Sequence, residues 1–240
     1  MTAASAPVDS STFTPPDEPT SYAPRRLVVV GIALALVVAV CAGLFIGHRL
    51  AGGHPATDSV DAGFARDMQI HHTQAVQMSY AVTLATDDQS VRTMAYDIMT
   101  SQQGQIGRMS GWLDSWHLPA YSSAPLMAWM GGVGPGDGEA HAKHEGHDAG
   151  GGADDGALMP GMATDAEMEQ LRQATGRHAE ILFLQLMIDH HRGGVDMAGY
   201  AAEHAGEEEV RLAAERMASS QAVEIDAMND MLAERGVDPV

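Results

Sequence analysis

At 240 residues the chain can hold one domain of roughly 180 residues plus a membrane anchor. Thirty-two acidic against 13 basic residues give a formal charge of -19, which argues against nucleic acid as a partner and is compatible with attracting cations. The single cysteine, Cys41, excludes an intramolecular disulfide framework and any cysteine-based zinc site, whereas 16 methionines and 12 histidines are abundant, and every methionine but Met1 lies beyond residue 60.

Residues 1–26 begin with a Pro-, Ser- and Thr-rich stretch without apolar period, read as a disordered cytoplasmic tail. Leu27 to Gly47 is an uncharged apolar run reaching about 31 Å as a helix, enough to cross a bilayer. Arg25 and Arg26 precede it, so the positive-inside rule leaves the N-terminus in the cytoplasm and sends the rest outside. An uncleaved signal anchor is the favoured reading, because the run is long for a signal-peptide core. A cleaved signal, or lipidation of Cys41 behind the bulky Val40, are the alternatives.

Residues 48–58 form a linker containing Gly52 to Pro55. Helical spacing runs from about 59 to 85 and is broken at Asp87-Asp88. A second helix is predicted over 89–116, with Pro119 after its end. The Gly-rich stretch 120–163 has no period and is read as a long loop. A third helix is predicted over 164–205, opened by the capping-box pair Thr164 and Glu167. The fourth covers 207–235 and is closed by Gly236 and Pro239. The domain, 59–235, thus consists of hairpins at 59–117 and 164–235. Neither hairpin can bury its apolar face alone, so the fold class is all-α, a four-helix bundle preceded by one transmembrane helix.

The two hairpins are copies. Phe64, Met68, His71, His72, Ala75, Val76 and Met78 recur 119 residues later as Phe183, Met187, His190, His191, Gly194, Val195 and Met197. The offset persists through Val91/Val210, Gln102/Gln221, Met109/Met228 and Leu113/Leu232, which predicts a pseudo-twofold axis. Met68, His71, Ala75 and Met78 share one helical seam, as do Met187, His190, Gly194 and Met197, so His71 and His190 point inward. His72 and His191 lie about 100° around the helix, toward its edge. Ala75 and Gly194 leave room one turn on. In the partner helices, Gln102 and Gln221 interrupt otherwise apolar seams. A buried amide needs a partner, and an inward imidazole could provide one, making these glutamines candidates to fix its tautomer.

Imidazole and thioether together are a copper donor set. The metal-ligand candidates are His71, His72, Met68 and Met78 with His190, His191, Met187 and Met197, with Gln102 and Gln221 behind them. Methionine on a seam is also ordinary core filler, and an inward histidine can be a hydrogen-bonded core residue.

These residues resemble the bacterial family called domain of unknown function 305. Its hallmark is a Phe-x3-Met-x2-His-His-x2-Ala/Gly-x2-Met helix present twice, each followed by a Gln-bearing helix. Met159-Pro160-Gly161-Met162 also matches, and the likeness spans about 59–235. The resemblance implies a ferritin-like, exported helical bundle, with copper binding and resistance linked to some members. The insert before Met159 departs from the pattern. It places His141, His144 and His147 at three-residue spacing, flanked by Met127, Met130, Met159 and Met162. Such a tract can chelate Cu(II), Zn(II) or Ni(II), or be a polar linker.

Three functions follow. The first is a membrane-anchored extracytoplasmic binder of copper, as Cu(I), Cu(II) or both, with no organic cofactor and no catalysis. The second is a haem or redox protein of the bundle type; no Glu-x-x-His or Cys-x-x-Cys-His motif supports di-iron or covalent haem chemistry. The third is a metal-free envelope scaffold. Partners are the membrane and metal ions rather than nucleic acid, and the oligomeric state is left open. No nucleophile–base set is present, and the Gly-rich Gly131–Gly138 opens no helix.

Overall fold

The computed structural model describes residues 23–50, 53–131 and 156–240. The chain divides into two compact units, Met1–Gly53 and His54–Val240. In the first, helix α1 (Ala23–Leu50) contains the span Leu27–Leu44, with mean hydropathy 3.0, long and apolar enough to cross a membrane. In the second, the elements are α2 (Val60–Ala85), α3 (Gln89–Ser115), a 3-10 turn (Ala128–Met130), α4 (Asp165–Gln173), α5 (Gly176–His204) and α6 (Glu208–Glu234). All regular structure among the described residues is helical.

Helices α2 and α3 form one hairpin, α5 and α6 the other, and the hairpins pack through α2 against α5. Met68 is buried with Met197 in one apolar cluster and Met78 with Met187 in the other. This pairing means that α2 and α5 run antiparallel, with the histidines at their crossing. The first cluster adds Met109, Trp112 and Leu113 of α3 and Val210, Ala214 and Met217 of α6. The second adds Val91, Ala95 and Ile98 of α3 and Met228 and Leu232 of α6. Each copy therefore contributes to both halves of the core.

The hairpin turns are tied reciprocally. Asp61, at the start of α2, accepts hydrogen bonds from the backbone N–H groups of Gly206 (3.0 Å) and Glu207 (2.8 Å) in the α5–α6 turn. Glu207 is the N-cap of α6 and makes no side-chain cap of its own, so the carboxylate reaching across supplies the missing acceptor. Glu180 stands 119 residues after Asp61, near the start of α5. It accepts from the Thr86 hydroxyl at 2.6 Å in the α2–α3 turn and from Arg235 Nε at 2.8 Å. Arg235 also pairs with Asp88 at 3.0 Å.

Two expectations are corrected. The predicted third helix is two helices. Thr164 and Glu167 do form the capping box, but Ala174 and Thr175 take extended backbone and Gly176 has a φ of +55°. The break redirects the chain so that α4 lays Met168 and Leu171 into the core against α2 while α5 pairs with α6. The stretch 120–163 is also more than a loop where it is described. Trp129 is buried edge-on to Phe64 and Tyr200, and its Nε1 donates to Asp67 Oδ2 at 2.8 Å, which also accepts from Met127 N at 2.7 Å. The Met159–Met162 turn lies directly on α5. A Cβ at Gly193 would stand 2.1 Å from the Pro160 carbonyl oxygen, and Gly161 holds φ at +76° beside the Asp189 carbonyl.

Gly193→Ala should therefore lower stability by about 1–3 kcal/mol, since the obstructing atom is backbone and the turn must lift. Thermal unfolding measures this, and Gly199→Ala, whose Cβ meets nothing within 4 Å, is the control that should leave the midpoint unchanged or higher.

Candidate metal centre

The crossing of α2 and α5 gathers four histidines, all fully buried: His71, His72, His190 and His191. The inward rings of His71 and His190 face each other with centroids 3.8 Å apart and planes tilted by 36°. Each lies 6.3 Å from the neighbouring ring of its own pair. Met68, Met78, Met187 and Met197 are fully buried on the same two helices, Met68 with Met197 on one side of the histidines and Met78 with Met187 on the other.

Hydrogen bonds fix where the ring protons sit. His190 Nε2–H donates to the His71 backbone carbonyl at 3.0 Å, and His191 Nε2–H to Glu224 Oε2 at 2.6 Å. A carbonyl and a carboxylate only accept, so the proton is on Nε2 in both. His72 Nε2–H meets Gln105 Oε1 at 2.6 Å. In the neutral rings Nδ1 then carries the lone pair, and the Nδ1 atoms of His72, His190 and His191 are buried without a hydrogen-bond partner. Both ring nitrogens of His71 lack a partner as well. The Pro160 carbonyl acts on the His71 ring and favours its protonated form, but it does not stand at hydrogen-bonding geometry.

Burial holds His71, His72 and His190 neutral. Desolvation, with repulsion from His72 and His191, pushes His71 well below the usual histidine range. His190 is pushed down the same way, with His71, His191 and His72 adding to the burial effect. Burial lowers His72 to about 4 despite its bond to Gln105. Unprotonated imidazole is the form that binds metals, so protons do not compete for these nitrogens near neutral pH.

The structure departs from the seam reading at two points. His72 and His191 are not at the edge but as deeply buried as the inward pair, because α3 and α6 cover them and supply Gln105 and Glu224. Gln102 and Gln221 do not hold the imidazoles. Both are buried, Gln102 leaves both amide atoms unpartnered, and Gln221 leaves Oε1 unpartnered. The room at Gly194 is taken by Gln221, whose Oε1 would lie 2.2 Å from a Cβ there. The residues that do bond the rings were missed. Their signal was the repeat itself: Gln105 and Glu224 are equivalent positions, each 33 residues after the outer histidine of its copy, each bearing an acceptor.

Among the described residues, no three His, Cys, Asp or Glu side chains converge as a ready-made metal cage. The four histidines contribute five unpartnered buried nitrogens, and four thioethers lie along the same helices. That donor set suits a soft, low-coordinate ion reached by ring rotation rather than a rigid polyhedral site. His141, His144 and His147 lie outside the described residues.

The model of the family described as domain of unknown function (DUF305) matches residues 61–232. Among solved structures, the chain is similar to a candidate secreted DUF305 protein from Streptomyces coelicolor, at 47% identity over 77% of this chain and 99% of that one, with a TM-score of 0.65. It is similar to a DUF305 fragment from Deinococcus radiodurans at 26% identity over 73% of this chain and 96% of that one, TM-score 0.56. CopM in its Cu(II)-bound form matches at 21% identity over 73% of this chain and 97% of that one, TM-score 0.50, a likeness of fold. No curated protein sequence matches the chain.

The buried imidazoles set a pH dependence for the metal-free protein. His71, His72 and His190 are lowered in the fold, so the unfolded chain binds more protons below its ordinary pKa of 6.5. Stability is fully present above that value and is lost as pH falls toward 4. Between pH 7.5 and 5.5 the three groups together should remove up to roughly 4 kcal/mol, and a His71→Gln/His190→Gln variant should show about a third of that pH-dependent loss. Urea unfolding at the two pH values is the measurement; equal slopes in both proteins would contradict the neutral-core assignment.

Proposed function

We propose that this chain, which belongs to the DUF305 family, is a membrane-anchored extracytoplasmic metal-binding protein whose helical core takes copper as Cu(I). The observation that carries the reading is the set of buried histidine Nδ1 atoms with no partner, on rings whose Nε2–H groups are engaged elsewhere. A buried polar atom without a partner costs about 1–3 kcal/mol, so several at one crossing suit a site that expects an occupant. Metal-binding histidines typically donate their second ring nitrogen to a carboxylate or carbonyl, which is the arrangement at His190 and His191.

Charge selects the oxidation state. The cluster is fully buried, and among the described residues Glu224 is the one carboxylate hydrogen-bonded to it. A monovalent soft ion costs less to desolvate than a divalent one, and the flanking methionines offer thioethers that favour it. CopM, a neighbour in fold, has been solved with Cu(I) as well as Cu(II) bound, which supports the reading. On this reading His71, His72, His190 and His191, with Met68, Met78, Met187 and Met197, form the core donor set. His141, His144 and His147 act as a separate Cu(II) capture tract. Helix α1 is the anchor, with the bundle outside, where a thiolate-free site suits an oxidising compartment. The role is binding, for homeostasis or resistance, rather than catalysis.

A metal-free scaffold is the competing reading, favoured by the absence of a preformed three-ligand cage among the described residues. Titration of residues 54–240 with Cu(I) against a chromophoric chelator, and with Cu(II) by calorimetry, separates the two. Changing His71, His72, His190 and His191 to Gln should weaken Cu(I) binding at least about tenfold while helicity persists. Changing His141, His144 and His147 to Gln should spare Cu(I) and reduce Cu(II). Glu224→Gln should cost about 10- to 100-fold in Cu(I) affinity. Unchanged Cu(I) binding in the core variant would make the bundle a scaffold.

A further inference from the structure

Two exposed histidines from distant parts of the chain meet at the end of the bundle where α2 begins and α3 ends. His54 and His117 stand edge to face with ring centroids 5.6 Å apart. Neither ring is hydrogen-bonded to another side chain or to backbone within hydrogen-bonding geometry among the described residues, so both keep lone pairs toward solvent.

The meeting is enforced. Arg66 is 5% exposed and clamps both segments: its Nε donates to the Pro119 carbonyl at 3.0 Å, while its terminal nitrogens donate to the Thr57 carbonyl at 2.7 Å and the Thr57 hydroxyl at 3.0 Å. One buried guanidinium thus ties the stretch just after His54 to the stretch just after His117.

The backbone at His117 supplies an independent observation. Helix α3 ends in a Schellman turn, with Leu118 N–H bonded to the Leu113 carbonyl at 2.9 Å and His117 N–H to the Asp114 carbonyl at 3.1 Å. Helix α6 ends identically, with Val237 N–H on Leu232 at 3.1 Å and Gly236 N–H on Ala233 at 2.9 Å. The equivalent residues are His117 and Gly236, and both are left-handed, with φ of +57° and +64°. The second copy fills the position with the residue that adopts it freely, and the first fills it with a β-carbon-bearing imidazole at a cost in backbone strain. Arg66 and His54 are likewise confined to the first copy, where the second has Gln185 and Gln173. Among the described residues, strain, clamp and second ring occur together only there.

The geometry points to a surface site in which His54 and His117 jointly ligate a borderline divalent cation, Zn(II) or Cu(II), with water completing the shell. Imidazole is a ligand suited to both ions, and two such rings on adjoining backbone offer a bidentate donor pair. The site does not draw on the buried histidines, and its test is separate from theirs.

The probe is Zn(II), added to the full chain in detergent micelles with histidine ring carbons labelled, each signal assigned by single substitution. His54 and His117 should respond together and saturate at one zinc concentration. In His117→Gly the His54 response should weaken at least about tenfold, and the metal-free unfolding midpoint should stay level or rise, because the strain is relieved. In His54→Gln the His117 response should weaken equally with the midpoint unchanged. A His54 response that is unaltered in His117→Gly would overturn the site. So would the absence of any shift at either ring under saturating Zn(II), or a midpoint for His117→Gly below that of the parent.

Discussion

The close antiparallel crossing of α2 and α5 is the constraint on which the rest of the molecule depends. Two long helices carry imidazoles at their point of contact, and the rings stack at 3.8 Å while one of them bonds to the other helix's backbone. The bond from His190 Nε2–H to the His71 carbonyl fills the position of a ring proton that would otherwise be stranded in the core. Around that crossing, methionines from both copies close the core on either side. Their flexible thioethers pack against whatever ring positions the histidines take, so the core can be dense without locking the imidazoles. A rigid β-branched layer in the same place would leave the rings less freedom.

The duplication is close to symmetric at the centre and asymmetric outside it. At the crossing itself, His190 bonds to the opposite backbone while His71 does not. One layer out, the neutral amide Gln105 stands where the second copy has the carboxylate Glu224. At the helix ends the copies part further, with His117 against Gly236 and Arg66 against Gln185. The centre is shared because both copies face the same axis. The periphery is free to diverge because each peripheral position meets different chain.

Much of this was legible in the sequence because it depends on period. The 3.6-residue repeat places α2, α3 and α6 within a residue or two, and the seam it defines turns His71 and His190 inward, as they are found. What was not legible depended on contacts between segments that share no period. The break at Ala174 and Thr175 follows from the need to turn α4 onto α2, and its one local trace is Gly176. Trp129 and Met127 read as loop because they plug the core from an irregular segment. The seam pattern points to Gln102 and Gln221 as partners of the inward rings, whereas the side chains that bond imidazoles are Gln105 and Glu224, on the outer pair. One turn along a helix separates Gln102 and Gln221 from Gln105 and Glu224, and angular position alone does not decide which side chain reaches a ring.

The reciprocal carboxylates have a consequence for the module's symmetry. Asp61 closes the turn of the opposite hairpin, and Glu180, its equivalent, closes the other. A lone hairpin would thus carry both a donor turn and an acceptor carboxylate with nothing of its own to join. Two identical hairpins about a dyad would satisfy each other, since each presents the complement of its own surface. The single chain has the geometry of such an isologous dimer, with its two halves held at a fixed effective concentration by the segment that joins them.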